Sequence, residues 1–176
     1  MLKIVTAPDP ILNTVCEPCV VGDKSLVRLA DQMAQTMYES NGCGLAAPQV
    51  GVTKRIVVID CDVDSEEPRP IALVNPVILE TRGEVVRDGE GCLSVPGITV
   101  QIARPEWAHV RYYDLDGNEC EIEGDGLLGR CLQHEIDHLD GKTMLESCNP
   151  LDRLKALRDY EAALAAGAKP GDTSVD

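Results

Sequence analysis

Gln133-His134-Glu135-Ile136-Asp137-His138 is the stretch on which the reading of this chain turns. It spells His-Glu-x-x-His, and at 3.6 residues per turn a helix sets His134 and His138 on one face, where both imidazoles can grip a single metal ion. Glu135 flanks that face. Its carboxylate can take a proton from a metal-bound water, whose pKa the ion lowers from about 15.7 to roughly 7. The run therefore reads as hydrolysis. A solvated pair of helical histidines is the blander reading, but the chain has only three histidines and two of them stand here.

The flanks make a helix of it. Asp125 is a candidate cap, Leu127, Leu128, Cys131, Leu132 and Leu139 recur at helical spacing, and Gly141 is placed to close the helix. Downstream, Asn149-Pro150 gives an N-cap with proline at the first helical position, and Leu151, Leu154, Leu157 and Leu164 form the apolar stripe of a last helix ended by Gly167. Upstream, Asp23 caps a first helix carrying Leu26, Leu29, Ala30, Met33 and Met37 as a buried stripe, closed near Asn41-Gly42. Between the first helix and the motif helix lie short strand signals: Arg55 to Asp60, Ile71 to Asn75, Val85-Val86, Ile98 to Ile102, His109 to Tyr113 and Glu119 to Ile122, with Asp116-Gly117 as a hairpin turn. The loops between them are too short for crossover helices, so the sheet is expected to be mostly antiparallel. The fold class is α+β: mostly antiparallel sheet around a central metal-binding helix, with an N-terminal and a C-terminal helix. One domain spans 1–167, and the polar stretch 168–176 reads as a disordered tail.

A net charge of -14 argues against a protein held on DNA or other nucleic acid by phosphate contacts, which need a basic surface. Met1-Leu2-Lys3-Ile4-Val5 lacks the features of a signal peptide, and no apolar run approaches the ~20 residues of a membrane span. A cytoplasmic location without membrane attachment is expected. The eight cysteines are then expected to stay reduced, as core residues or ligands, and Cys16-Glu17-Pro18-Cys19 lacks both the second pair of a zinc knuckle and the strand–helix context of a redox pair.

A catalytic metal site commonly has three protein ligands plus water, so one is still to be found. His109 lies in a strand between Ala108 and Val110, where a paired surface histidine is the simpler reading. Cys131 is one turn before His134 and reads as core. Cys92 lies in Gly89-Glu90-Gly91-Cys92-Leu93-Ser94-Val95-Pro96-Gly97, read as an irregular segment able to present a thiolate and free backbone N–H groups. The stretch Gly42-Cys43-Gly44-Leu45-Ala46-Ala47-Pro48-Gln49 reads equally as a tight helix-to-strand turn or as backbone brought close to a ligand, with Gln49 supplying both donor and acceptor.

Three of these blocks, GCGLAAPQ (42–49), EGCLS (90–94) and QHEIDH (133–138), in this order and at compatible separations, resemble the three motifs of the peptide deformylases. The likeness runs from about Ile4 to about Arg158. It implies that Cys92, His134 and His138 hold one divalent metal, iron(II) being usual in the family with zinc, nickel or cobalt as substitutes. It implies Glu135 as general base and then acid, and Gln49 with the Leu93 N–H as oxyanion donors. Gly44 would bind the substrate main chain, and Glu90 and Arg104 resemble a supporting pair near the metal loop and substrate cleft. Cys43, Leu127, Cys131 and the wall of His134 would line the pocket for a methionine side chain. The implied activity is removal of the formyl group from the N-terminal N-formylmethionine of new polypeptides, releasing formate. A metallopeptidase of the His-Glu-x-x-His type is the first rival, and a metal-stabilised binding protein the second. Two departures bear on specificity and docking. Arg130 and Asp88 place charges near the expected pocket rim. The transient ribosome contact that a basic C-terminal helix would make is opposed here by Asp152, Asp159 and Glu161, which offset Arg153, Lys155 and Arg158.

Overall fold

The computed structural model describes residues 1–62 and 64–172. Helix α1 (Ser25–Glu39) is followed by strands β1 (Gly44–Ala46), β2 (Ile56–Ile59), β3 (Ile71–Cys92), β4 (Val95–Tyr113) and β5 (Glu119–Gly124), then by helices α2 (Gly126–Leu139), α3 (Met144–Ser147) and α4 (Pro150–Ala165). The five strands form one sheet in sequence order, each antiparallel to the next. The α+β class and its antiparallel sheet are as expected.

Four expected short strands are in fact two long ones. Ile71 to Asn75 and Val85-Val86 both belong to β3, while Ile98 to Ile102 and His109 to Tyr113 both belong to β4. Prolines and glycines that read as strand ends instead sit at irregularities of a continuous ladder, whose register shifts between Val74 and Val77, around Pro76, between Arg82 and Val85, around Gly83, and between Glu90 and Cys92, around Gly91. Bulges accommodate such residues without ending a strand. The segment around Cys92 is likewise no irregular loop. Cys92 pairs with Val95, so Leu93 and Ser94 form the tight turn of the β3–β4 hairpin.

Helix α1 packs Leu26, Ala30, Met33 and Met37 against Leu45, Ile56 and Val58. Its start is tied by Asp23, whose carboxylate accepts from the Ser25 N–H at 2.9 Å, and its end by Asn41 at φ 58°. On the other face α2 buries Cys131, Leu132, Ile136 and Leu139 against Val57, Ile59, Leu73 and Val110. The sheet is therefore the layer between α1 and α2, and the motif helix, expected at the centre, covers one of its faces.

Helix α4 begins as expected, with the Asn149 side chain accepting from the Asp152 N–H at 2.8 Å. Its leucine stripe does not seat it. Leu151 is 80% exposed and Leu154 59%, whereas Ala156 and Tyr160 are buried and Ala163 packs beside them. The reason is close approach: a Cβ on Gly97 of β4 would lie 2.9 Å from the Ala163 Cβ, so the contact admits small side chains only. Tyr160 completes it by donating to the Ala7 carbonyl at 2.6 Å.

The stretch assigned to a disordered tail continues past α4. Ala168 N–H donates to the Ala163 carbonyl, and Asp172 accepts through its carbonyl from Gly97 N–H at 3.2 Å. Residues 173–176 lie outside the described residues.

Candidate active site

A helix and a hairpin bring the donors together. Helix α2 supplies His134 and His138, and the tip of the β3–β4 hairpin supplies Cys92; the three ligand atoms lie within 4.8 Å of one another. His134 Nε2 faces His138 Nε2 at 3.2 Å, and Cys92 Sγ lies 3.4 Å from His138 Nε2. Two nitrogens and a sulfur on one ion, with bonds of ~2.05 and ~2.3 Å at tetrahedral angles, would be separated by about 3.3 Å (N–N) and about 3.6 Å (N–S). The observed spacings match those edges, and the donor set fits a single divalent ion. His109, the alternative, pairs with Glu121 at 3.2 Å on the sheet surface.

The orientation of His134 is fixed by Glu90. Its Nδ1 lies 2.8 Å from Glu90 Oε1, and an ionised carboxylate only accepts, so Nδ1 carries the proton and the Nε2 lone pair points into the site. Burial pushes the Glu90 carboxyl up, but hydrogen bonds from His134 and Arg104 outweigh it and hold the group at about 2. Arg104 grips Glu90 with two bonds, Nε to Oε2 at 2.5 Å and Nη2 to Oε1 at 3.0 Å, and reaches Asp137 Oδ2 with Nη1 at 2.8 Å. Ser147 Oγ donates to the same Asp137 oxygen. A short network thus ties β3, β4, α2 and α3 behind the histidines.

Sequence reasoning missed the third cation of this network. Arg130, read as a rim charge, donates from Nη1 to Glu90 Oε2 at 2.7 Å and to the Ile102 carbonyl at 2.9 Å, and from Nη2 to the Val86 carbonyl at 2.8 Å. It also missed Ser94, whose hydroxyl oxygen accepts from Gln49 Nε2 at 3.1 Å. The Gln49 carbonyl oxygen meanwhile accepts from the Ala46 N–H at 2.9 Å, which fixes the amide so that its NH₂ also faces Cys92 Sγ at 3.5 Å. Leu93, in the hairpin turn, has its N–H beyond the last ladder pair.

Glu135 is buried beside these donors, with Oε1 3.9 Å from His134 Nε2 and Oε2 without any protein partner. Burial pushes its carboxyl up to about 7. Burial works against charge on both histidines too: hydrogen bonds donated to Cys92 and Glu90 overrule it at His134, which lies well above the ordinary range until an ion replaces its Nε2 proton, while His138 stays well below. Gly44 passes so near that a Cβ there would meet Glu135 Oε1 at 2.7 Å and Cys131 Sγ at 2.9 Å. The 42–49 block, left open between turn and ligand contact, therefore brings its backbone against the site.

A cleft of about 330 Å³ opens over this centre, and Cys43, Gly44, Leu93, Leu127, Cys131 and Glu135 are among its walls. Gln49, Glu90, Cys92 and His134 line it as well, whereas Arg104 stands behind Glu90 and does not. The Cys43 thiol is held well below the usual range by hydrogen bonds from Cys131 and then Cys61, and Cys131 is pushed up by its own bonds to Cys43 and Cys61.

A buried His-Glu-x-x-His helix whose third donor comes from an antiparallel hairpin is the arrangement of a mononuclear metal hydrolase. The family model for polypeptide deformylases matches residues 1–154, and the chain belongs to that family. It is 44% identical to a peptide deformylase of Maricaulis maris over 89% of this chain and 90% of that one. It is 51% identical to one of Agathobacter rectalis, over 78% and 84%. Among solved structures, a peptide deformylase of Legionella pneumophila superposes with a TM-score of 0.85 at 41% identity, covering 95% of this chain and 98% of the other. One from Synechococcus elongatus in complex with actinonin gives 0.85 at 39% identity, covering 91% and 88%.

Proposed function

We propose that this enzyme hydrolyses the formamide at the N-terminus of N-formylmethionyl peptides, releasing formate and a free amine. Cys92, His134 and His138 would hold one divalent ion, iron(II) by preference with zinc(II), nickel(II) or cobalt(II) as substitutes; when bound it supplies Lewis acidity and lowers the pKa of water. Cys92 softens this site relative to an all-nitrogen set and leaves it open to oxidation at sulfur.

The remaining work falls to the chain's own groups. Glu135 takes the proton of the attacking water at its carboxylate and returns it to the departing amine nitrogen as the C–N bond breaks. Gln49 Nε2 and the Leu93 N–H donate to the carbonyl oxygen as negative charge grows on it, which is where fixed donors have the most effect. Gly44 lets the substrate backbone lie against the strand. Cys43, Leu127, Cys131 and the ring of His134 receive the methionine side chain. Glu90, held by Arg104 and Arg130, keeps the His134 lone pair aimed inward.

The observation that carries this reading is Glu135: a buried carboxylate at about 7, with one unpartnered oxygen, next to the metal donors and on the wall of the cleft. A group poised near the working pH both accepts and donates a proton readily. We place the enzyme in the cytoplasm, with the nascent chains it would process. No described helix is long and apolar enough to cross a membrane. On α4 Lys155 pairs with Asp159, and Asp152 pairs with Arg87 of β3, so a transient ribosome contact there would rest on Arg153 and Arg158.

The test is formate release by iron-loaded protein. Formyl-Met-Ala-Ser should yield formate while acetylated and internal peptides are untouched. Cleavage of the internal peptide would establish a metallopeptidase instead, and inertness toward all three would leave a metal-binding protein.

A further inference from the structure

A second cluster of metal-ligating side chains includes Cys131, whose Sγ, like Glu135 Oε1, stands against Gly44. The Sγ atoms of Cys43, Cys61 and Cys131 all fall within 4.8 Å of one another. They come from three separate places: Cys43 just before β1, Cys61 just after β2, and Cys131 in α2. The β1–β2 register sets the first two side by side, with Gly44 opposite Ile59 and the Asp60 N–H donating to the Cys43 carbonyl at 2.9 Å. Cys131 is buried from the helix side, with its thiol 3.9 Å from the Cys43 carbonyl, while Cys43 and Cys61 are half-buried.

From this geometry we propose that Cys43, Cys61 and Cys131 form a thiol-only site for a thiophilic metal ion, zinc(II) or copper(I), whose occupation closes the inner end of the cleft. Three sulfurs on one ion at ~2.3 Å stand about 4 Å apart, so only a small contraction is required. All-sulfur sets favour copper(I) and zinc(II) over the harder divalent ions. Cys61 and Cys131, whose thiols are pushed up, release their protons to solvent on ligating, so binding strengthens as pH rises. Packed core thiols would explain Cys131 alone, but not two further half-buried thiols converging on it from two strand ends. Cys43 and Cys131 wall the cleft, so an ion between them fills the space assigned to the methionine side chain; this consequence rests on the deformylase reading.

The protein is first loaded with nickel at the Cys92 site, then dialysed anaerobically against zinc(II) in one arm and copper(I) in another, and both metals are counted per chain. Wild type should hold one nickel and about one added ion in at least one arm. Cys61→Ser and Cys61→Ala, which leave the cleft walls intact, should weaken the added ion by more than the about 10–100-fold typical of losing an outer-shell partner, while Cys120→Ser should retain it. Wild type holding no added ion in either arm, or both Cys61 variants holding it as tightly as wild type, would overturn the site. Formate release should fall as the added ion binds and stay unchanged in Cys61→Ser; unchanged release by wild type carrying the ion would overturn the closure. A protein with no formate release before any ion is added refutes the deformylase reading, while the metal count still decides the thiol site.

Discussion

Helices α2 and α4 are similar in length, 14 and 16 residues, and leucines mark both, yet nine residues of α2 are buried and only two of α4. Helix α2 is the layer between the sheet and the site; its apolar side faces Val57, Leu73 and Val110, and its polar side is consumed by Glu90, Arg104 and each other. Helix α4 lies on the hairpin through Ala156, Tyr160 and Ala163, with its leucines turned outward. What decides burial is the surface a helix meets. A flat, large-residue sheet face accepts leucines, while a hairpin approaching at Gly97 accepts alanines.

The sharpest test of that contrast is on α2. Glu135→Gln should keep the metal and lose about 10²–10⁴-fold in turnover, because it removes a proton acceptor without touching a donor to the ion. More than a tenth of wild-type activity at full metal content would refute Glu135 as the base.

Next in size is the ligand set. Cys92→Ser should lose the catalytic ion or bind it at least about tenfold more weakly, since a serine oxygen stays protonated where a thiolate does not, and Cys131→Ser should keep that ion. The reverse pattern in a metal analysis would move the ligand from the hairpin to the helix.

Removing Glu90 tests the network behind α2. Glu90→Gln leaves Arg104 and Arg130 without their shared carboxylate, a loss of about 3–5 kcal/mol for a broken buried pair. Its pH dependence has a definite sign. The folded carboxyl sits at about 2, below an unfolded value of about 4.3, so its stabilisation is complete above about pH 4.3 and drains away as pH falls toward 2. Chemical denaturation between pH 6 and 2 should show about 3 kcal/mol of acid destabilisation in wild type that is missing from Glu90→Gln. Parallel acid limbs in the two proteins would count against a charged Glu90.

The smallest effects belong to α4. Ala156→Leu should destabilise by about 1–3 kcal/mol through overpacking against the hairpin, whereas Leu154→Asn should stay within about 0.5 kcal/mol. A costly Leu154→Asn, read from the denaturation midpoint, would put the leucine stripe back inside.

These contrasts also explain what could be read in advance. His134, Glu135 and His138 were legible because helical spacing alone aligns them. The assembly of Cys92 and Gln49 around them was suggested by resemblance, for nothing local says that residues 43 positions apart will meet. Arg130 lines the cleft as expected, but its bonds to Glu90, Val86 and Ile102 were not legible because those partners lie on strands distant in sequence. Strand β3 reads as two pieces because Pro76 and Gly83 look like stops wherever a bulge has not yet been seen, and β4 because Pro105 does. The face of α4 was misread because alanines give a weak hydropathy signal even where they make the contact.

The turn after α4 bears on how the protein should be handled. Gly171 crosses close enough that a Cβ would lie 2.7 Å from the Ser40 carbonyl, and Gly171 and Asp172 both line the cleft above Glu135. A purification tag or reporter fused directly after residue 172 would start at the rim of that cleft. Such a fusion is expected to raise KM more than it lowers kcat.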